Sequence, residues 1–246
     1  MANVFIACGY VASGKSTMAD ALAKTAGLTV IRTDDVRKRL FPKEFDFGSV
    51  DLNDSESVQK IESWIMNNPE ADLQQILNPL SCLGSAYAGI VSKHSSKIKE
   101  QKNWVYDQAF AELGRLLNAD VDVLFDATFS SAEMRQRVYR VAVENGAKNV
   151  YIIQVVCDQN IVEARLARRV SGKQKTTSNA KELAVFQAVK KEFDESRIQD
   201  DVPGINFARI AYDTGKQTIK FFGKEDEATK TIKSVLSILS QMYGGN

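Results

Sequence analysis

Gly9-Tyr10-Val11-Ala12-Ser13-Gly14-Lys15-Ser16 sets two glycines five residues apart and follows the second with a lysine and a hydroxyl. The pattern is G-x-x-x-x-G-K-[ST], the phosphate-binding loop, or P-loop. Glycines at Gly9 and Gly14 let backbone N–H groups turn inward around an anion, with Ala12 and Ser13 supplying further N–H groups. A helix starting near Lys15 adds its positive N-terminal end. Lys15 is expected to reach the β- and γ-phosphates of ATP, Ser16 to ligate Mg²⁺, and Thr17 to add an α-phosphate contact.

Two acidic stretches follow apolar runs, where ligands of open α/β sheets bind. Asp126 ends Val121–Phe125, as a Walker B acid does, and is expected to hold Mg²⁺ or one of its waters. Asp34 and Asp35 lie in Arg32-Thr33-Asp34-Asp35-Val36-Arg37. A carboxylate at Asp34 can orient an acceptor hydroxyl and take its proton. N-capping of a helix over Val36–Phe41 is the competing role, and one of the pair can do each job. Arg37, one turn on, points a fixed cation at the same cleft. Further along, Arg165 and Arg169 are one helical turn apart, beside Arg168, and the polar stretch Ser171–Asn179 suits a flap over them. Arginines closing over a transferring phosphoryl group stabilise its spreading charge.

These residues need a scaffold. Runs rich in β-branched or aromatic residues predict strands over Val4–Cys8, Leu28–Arg32, Val121–Asp126, Tyr151–Val156 and Phe207–Tyr212. Near-continuous apolarity suits parallel strands covered on both faces. A sixth run, Gln217–Phe222, can pair with the fifth across Asp213–Lys216. Helical stripes alternate with the strands: Met18, Ala19, Leu22; Val105, Ala109, Leu113, Leu116; Met134, Val138, Val141, Ala142; Leu183, Phe186, Val189, Phe193; and Ile232, Val235, Leu236, Leu239. The expectation is an α/β, P-loop NTPase fold: a doubly wound, mostly parallel five-stranded sheet with helices on both faces. A single domain over 1–246 carries a helical insertion at 43–100 and a lid region at 160–195. Insertion helices are expected around Val58, Ile61, Ile65 and around Leu73, Ile76, Leu77.

With 32 basic and 31 acidic residues in 246, the net charge is +1. That argues against a broad non-specific nucleic-acid surface, while leaving contact with a strand end open. Between Glu44 and Leu80 stand eight acidic residues and one lysine, Lys60. They form either a solvated helical face or a wall over the acceptor site. Cys8, Cys82 and Cys157 match no zinc spacing or disulfide framework. The start, MANVFIACGY, has no signal-peptide pattern, and no membrane span is visible, so a cytoplasmic location is expected. His94, the single histidine, reads as a surface residue, and Trp64 and Trp104 as core. Protein-kinase signatures and Rossmann glycine spacing are absent.

CGYVASGKST, RTDDVRKRL, DVLFDATFSSAEMRQR and EARLARR, in this order, resemble the kinase domain of phage polynucleotide kinase and related small P-loop kinases assigned to AAA-type ATPases. The resemblance covers about residues 3–40 and 100–195. It implies Asp34 as general base, Arg37 as a substrate-anion contact, and Arg165 and Arg169 as lid arginines on the nucleotide phosphates. Block 44–80 is longer than that pattern needs, and no companion phosphatase domain is expected. The expected activity is ATP- and Mg²⁺-dependent transfer of the γ-phosphate to a hydroxyl of a small molecule or a polynucleotide 5′ end. The alternative is a regulatory P-loop ATPase acting on a macromolecular partner.

Overall fold

The structure, a computed structural model, describes residues 2–43, 45, 56–80, 85–170, 186–187, 189–190, 202–223 and 226–243. Cys82, the flap Ser171–Asn179, and Leu183 and Phe193 of one predicted stripe lie outside the described residues, as does the side chain of Arg169. The chain divides into two compact units, Met1–Arg32 with Phe110–Asn246, and Thr33–Ala109.

The first unit is built on one sheet. Its strands are β1 (Asn3–Gly9), β2 (Thr29–Arg32), β3 (Val123–Asp126), β4 (Asn149–Val156), β5 (Asn206–Asp213) and β6 (Thr218–Phe222). The order is β2-β3-β1-β4-β5-β6, parallel except for the antiparallel β5–β6 edge. The sheet therefore has six strands, not five. The extra strand is the run at Gln217–Phe222, added as a hairpin through an Asp213 turn whose Oδ1 accepts from the N–H groups of Gly215 and Lys216. The central strands are buried along almost their whole length, which explains their unbroken apolar sequences.

Helices cover both faces. On one lie α1 (Lys15–Ala26) and the C-terminal α8 (Glu227–Tyr243), with Met18, Leu22, Ile232 and Leu236 packed on Phe5, Tyr151, Ile153 and Ile210. Gly27, left-handed at φ 69°, stops α1 and returns its N–H to the Ala23 carbonyl. On the other face Phe125 meets Phe110, and Phe207 meets Tyr139 of α6 (Ala132–Glu144). The buried stripe of α6 is Arg135, Val138, Tyr139 and Ala142, rotated from the predicted one because Arg135 turns inward. α7 (Gln159–Val170) follows β4.

Side-chain amides link the strand beginnings. Asn149 donates to Asn3 at 2.7 Å and Asn206 to Asn149 at 3.0 Å, while Asn3 donates to Asp122. These asparagines are register partners, Asn3 with Asn149 and Asn149 with Asn206.

The second unit is helical: α2 (Thr33–Leu40), α3 (Glu56–Asn67), α4 (Leu73–Leu80) and most of the 34-residue α5 (Ser85–Asn118), which continues into the first unit. Its core joins Ile61, Ile65, Leu73, Ile76, Leu77 and Ile90. These include Ile61, Ile65, Leu73, Ile76 and Leu77 of the predicted stripes, with Val58 partly buried against them. Gln101 ties the α3–α4 turn down, donating to the Ala71 carbonyl and accepting from Leu73 N–H. Trp104 is 48% exposed, with its edge on Phe41, so it is not the core residue its helical stripe suggested. Within the described residues of the acidic block, Glu62 pairs with Lys93 and Glu70 with Lys43. No described helix is long and apolar enough to cross a membrane.

Candidate functional site

β1 and β3 lie side by side, and their C-terminal ends carry the two strongest sequence signals. Ala7 is the register partner of Asp126. The Gly9 N–H donates to the Thr128 carbonyl at 3.2 Å, which joins the strand ends just before the glycine-rich loop. Gly9 has φ 148°, and a Cβ there would stand 2.2 Å from the Val155 carbonyl oxygen, so no side chain fits. Ala12, at φ 60°, and Gly14, at φ 100°, are both left-handed. The loop is thus bent sharply enough to gather its N–H groups on one side.

α1 starts at Lys15 with Gly14, which has no side chain to cap with, in the N-cap position, the arrangement that suits an anion at a helix N-terminus. The buried Ser13 hydroxyl and the Lys15 ammonium both donate to the Tyr10 carbonyl, at 2.9 and 2.8 Å. Lys15 therefore lies folded over the loop, and Thr17 is exposed beside it.

Asp126 is 6% exposed. Burial pushes its carboxyl above the ordinary aspartate range; the Lys15 charge, a hydrogen bond from Ser16 and the Arg32 guanidinium pull the other way, and Asp20 reinforces the rise. Ser16, Lys15 and Asp126 are thereby brought together. A hydroxyl and a desolvated carboxylate are hard oxygen donors, and the buried negative charge would be relieved by a cation. This set fits Mg²⁺, which uses one or two protein oxygens and leaves the rest to water and phosphate. No cluster of three or more metal-ligating acids, histidines or cysteines occurs among the described residues.

Arg32 ends β2 with its Nε 3.5 Å from Asp126 Oδ2 and an Nη on Asp20. Sequence reading passed over it, since an arginine closing a strand carries no motif. Arg135 was missed too: 3% exposed, it donates to the Phe129 and Ser130 carbonyls and fixes the loop that leaves Asp126.

Arg165 lies against the back of the phosphate loop. Its Nη1 donates to the Ala12 carbonyl at 3.0 Å and to the Thr214 hydroxyl at 3.1 Å, with Cys157 Sγ at 3.5 Å. Arg168, on the same helix, is exposed.

Asp34 and Arg37 belong to the second unit. α2 begins at Thr33, earlier than the sequence suggested, so Asp34 and Asp35 both sit within its first turn and neither takes the N-cap position. Asp34 is half-buried and Asp35 exposed. Arg37 is 7% exposed and its Nη1 is 3.4 Å from Asp72, itself 1% exposed. Asp72 also starts α4 by accepting from the Gln75 N–H. The pairing holds Arg37 in one orientation.

A shallow groove of about 530 Å³ between the last turns of α5 and α6, including Gly114 and Asn145, lies where strands begin and contains none of these residues.

No protein of curated function matches the sequence. A candidate kinase from Chloroflexus aurantiacus j-10-fl is similar over 98% of this chain and 97% of its own, at 13% identity and a TM-score of 0.50. Kti12 of Chaetomium thermophilum, solved in complex with ADP-AlF3, covers 97% of each chain at 11% identity and TM-score 0.49. A gluconokinase from Sinorhizobium meliloti 1021 covers 99% of this chain and 98% of its own at 12% identity and TM-score 0.44. At such identities the first likeness speaks for the fold alone. Residues 4–195, with the glycine-rich loop, Asp126 and Arg165 among them, match AAA_33, the AAA domain, and the chain belongs to that family.

Proposed function

We propose that the protein is an ATP-dependent phosphotransferase that moves the γ-phosphate to a substrate hydroxyl. The observation that carries the reading is the Lys15–Ser16–Asp126 group at the joined ends of β1 and β3. It combines a cation for the β- and γ-phosphates with hard donors for Mg²⁺, at the uncapped N-terminus of α1. The loop residues Gly9, Ala12, Ser13, Gly14 and Thr17 supply backbone and hydroxyl contacts. When bound, Mg²⁺ supplies charge neutralisation on the transferring group.

The hydroxyl acceptor is argued from Asp34. It follows the C-terminal end of β2 by two residues and is less exposed than Asp35. A carboxylate at this point orients the hydroxyl and takes its proton as the O–P bond forms. Arg37 contacts the substrate's anion and Arg169 serves the phosphates in the lid role, while Arg165, expected in the same role, holds the Ala12 carbonyl behind the loop. The resemblance of RTDDVRKRL and DATFSSAEMRQR to phage polynucleotide kinase supports a 5′-hydroxyl acceptor, while the near-neutral charge and the acidic block support a small molecule.

The test is transfer from γ-labelled ATP with Mg²⁺ to 5′-hydroxyl oligonucleotides and to a pool of sugars, nucleosides and antibiotics, with Asp34→Ala beside the wild type. Label on an acceptor, lost in Asp34→Ala while nucleotide still binds, is the expected result. Label only in free phosphate, stimulated by a macromolecule, would replace this reading with the regulatory ATPase.

A further inference from the structure

Behind the phosphate loop a hydroxyl bridges parts of the chain 201 residues apart. The Thr214 Oγ1 donates to the Ser13 carbonyl at 2.6 Å and accepts from Arg165 Nη1 at 3.1 Å. Arg165 Nη1 in turn donates to the Ala12 carbonyl. The backbone of Thr214 is itself pinned, its N–H donating to the Val156 carbonyl at 3.0 Å, and Asp213 caps the turn that carries it. Its methyl group also fills the space beside Gly14, 3.1 Å from where a Cβ would stand.

The consequence follows from peptide planarity. In a trans peptide the C=O of one residue and the N–H of the next point in opposite directions. Fixing the Ala12 and Ser13 carbonyls toward Arg165 and Thr214 therefore turns the Ser13 and Gly14 N–H groups to the other side of the loop. Ser13 N–H makes one long contact there, 3.4 Å to the Tyr10 carbonyl. The two carbonyls belong to a turn with left-handed φ at Ala12 and Gly14, a conformation the surroundings must hold in place. A cradle for an anion works best when its N–H groups already point inward, because ordering them at the moment of binding lowers affinity.

We propose that Thr214 is a positioning residue of the nucleotide site: through its hydroxyl, and with Arg165, it presets the phosphate loop from the β5–β6 hairpin. The proposal rests on the reading of Gly9–Thr17 as a nucleotide site. It gives Arg165 work to do before any lid closes, and gives the β5–β6 turn a part in binding that its sequence, Asp-Thr-Gly-Lys, does not disclose.

The test separates the hydroxyl from the methyl. Thr214→Val keeps the shape and loses the hydroxyl; Thr214→Ser keeps the hydroxyl. Titration calorimetry with ATP·Mg²⁺ on the full chain is compared with the unfolding midpoint of each nucleotide-free variant. The expected result is ATP affinity about tenfold weaker in Thr214→Val, the scale of one buried hydrogen bond, with wild-type affinity restored within about twofold in Thr214→Ser. That rescue should hold even where the serine lowers the midpoint by losing its methyl contact. Equal affinity in the wild type and Thr214→Val would overturn the proposal and leave the nucleotide reading standing, as would equal weakening in both variants in step with their midpoints. Wild type that binds no nucleotide would overturn the nucleotide reading itself and the proposal with it.

Discussion

Arg32 Nε lies 3.5 Å from the Oδ2 of the buried Asp126. The contact joins the last residue of β2 to the last of β3, register partners in adjacent parallel strands. A carboxylate in this position loses its hydration, and the guanidinium is one of the charges that offset the loss. Arg32→Gln removes that charge at a site 19% exposed. Stability should fall by about 1–3 kcal/mol, below the usual figure for fully buried pairs because solvent reaches Arg32. Urea unfolding at neutral pH measures it.

Asp126→Asn tests the metal role against a structural one. Asparagine keeps the shape and needs no charge desolvated, so the unfolding midpoint at pH 7 should hold or rise. The Mg²⁺-dependent gain in ATP affinity should disappear. The pH dependence has a defined sign. The folded-state pKa of Asp126 lies above the unfolded value, so its contribution to stability is complete below the ordinary aspartate pKa and is lost as pH rises through the raised one. Metal-free wild type should therefore lose stability relative to Asp126→Asn as pH rises across that window. A parallel course of the two unfolding curves would count against a carboxyl whose charge is costly to bury.

Arg37→Leu leaves Asp72, 1% exposed, without its guanidinium. A buried carboxylate stripped of its partner should cost about 3–4 kcal/mol. Adding Asp72→Asn, which keeps an oxygen for the Gln75 N–H, should recover more than half of that. The double-mutant cycle, read by chemical unfolding, gives the coupling.

Tyr151, 1% exposed, donates its hydroxyl to Asp226, which also accepts the Thr229 N–H at the start of α8. Burial opposes ionisation of Asp226, yet these hydrogen bonds hold its carboxyl below the ordinary range. The stability it contributes is present above the unfolded pKa and lost as pH falls through the depressed one. Tyr151→Phe should cost about 1–2 kcal/mol at neutral pH. The difference from wild type should shrink on acidification below pH ~4.

The sequence carried the features that depend on neighbours along the chain. Gly9–Ser16 is contiguous, and Met18 to Leu22 repeats at helical spacing, so the loop and its helix could be read directly. Asp126 was legible because an apolar strand leads into it. What escaped were pairs made across the fold. Arg32 meets Asp126 from another strand, Arg37 finds Asp72 thirty-five residues away, and Thr214 reaches Ser13 over 201. No local period marks such partners. Trp104 erred for a related reason: helical spacing gave it a face, while the width of the covering layer decides whether that face is buried, and here the ring stays 48% exposed.

The amide ladder at the strand beginnings bears on how the phosphate loop comes to be built. Asn3 with Asn149 and Gly9 with Val155 are the two ends of one seven-pair register between β1 and β4. A slip by a single position would leave the asparagine side chains without their mates and would also bring a residue with a Cβ against the Val155 carbonyl, where Gly9 alone fits. The ladder thus ties register at one end of the sheet to the fit of Gly9 at the other. Alignment is specified by side-chain amides at the strand beginnings, and the opposite end closes with the glycine-rich loop.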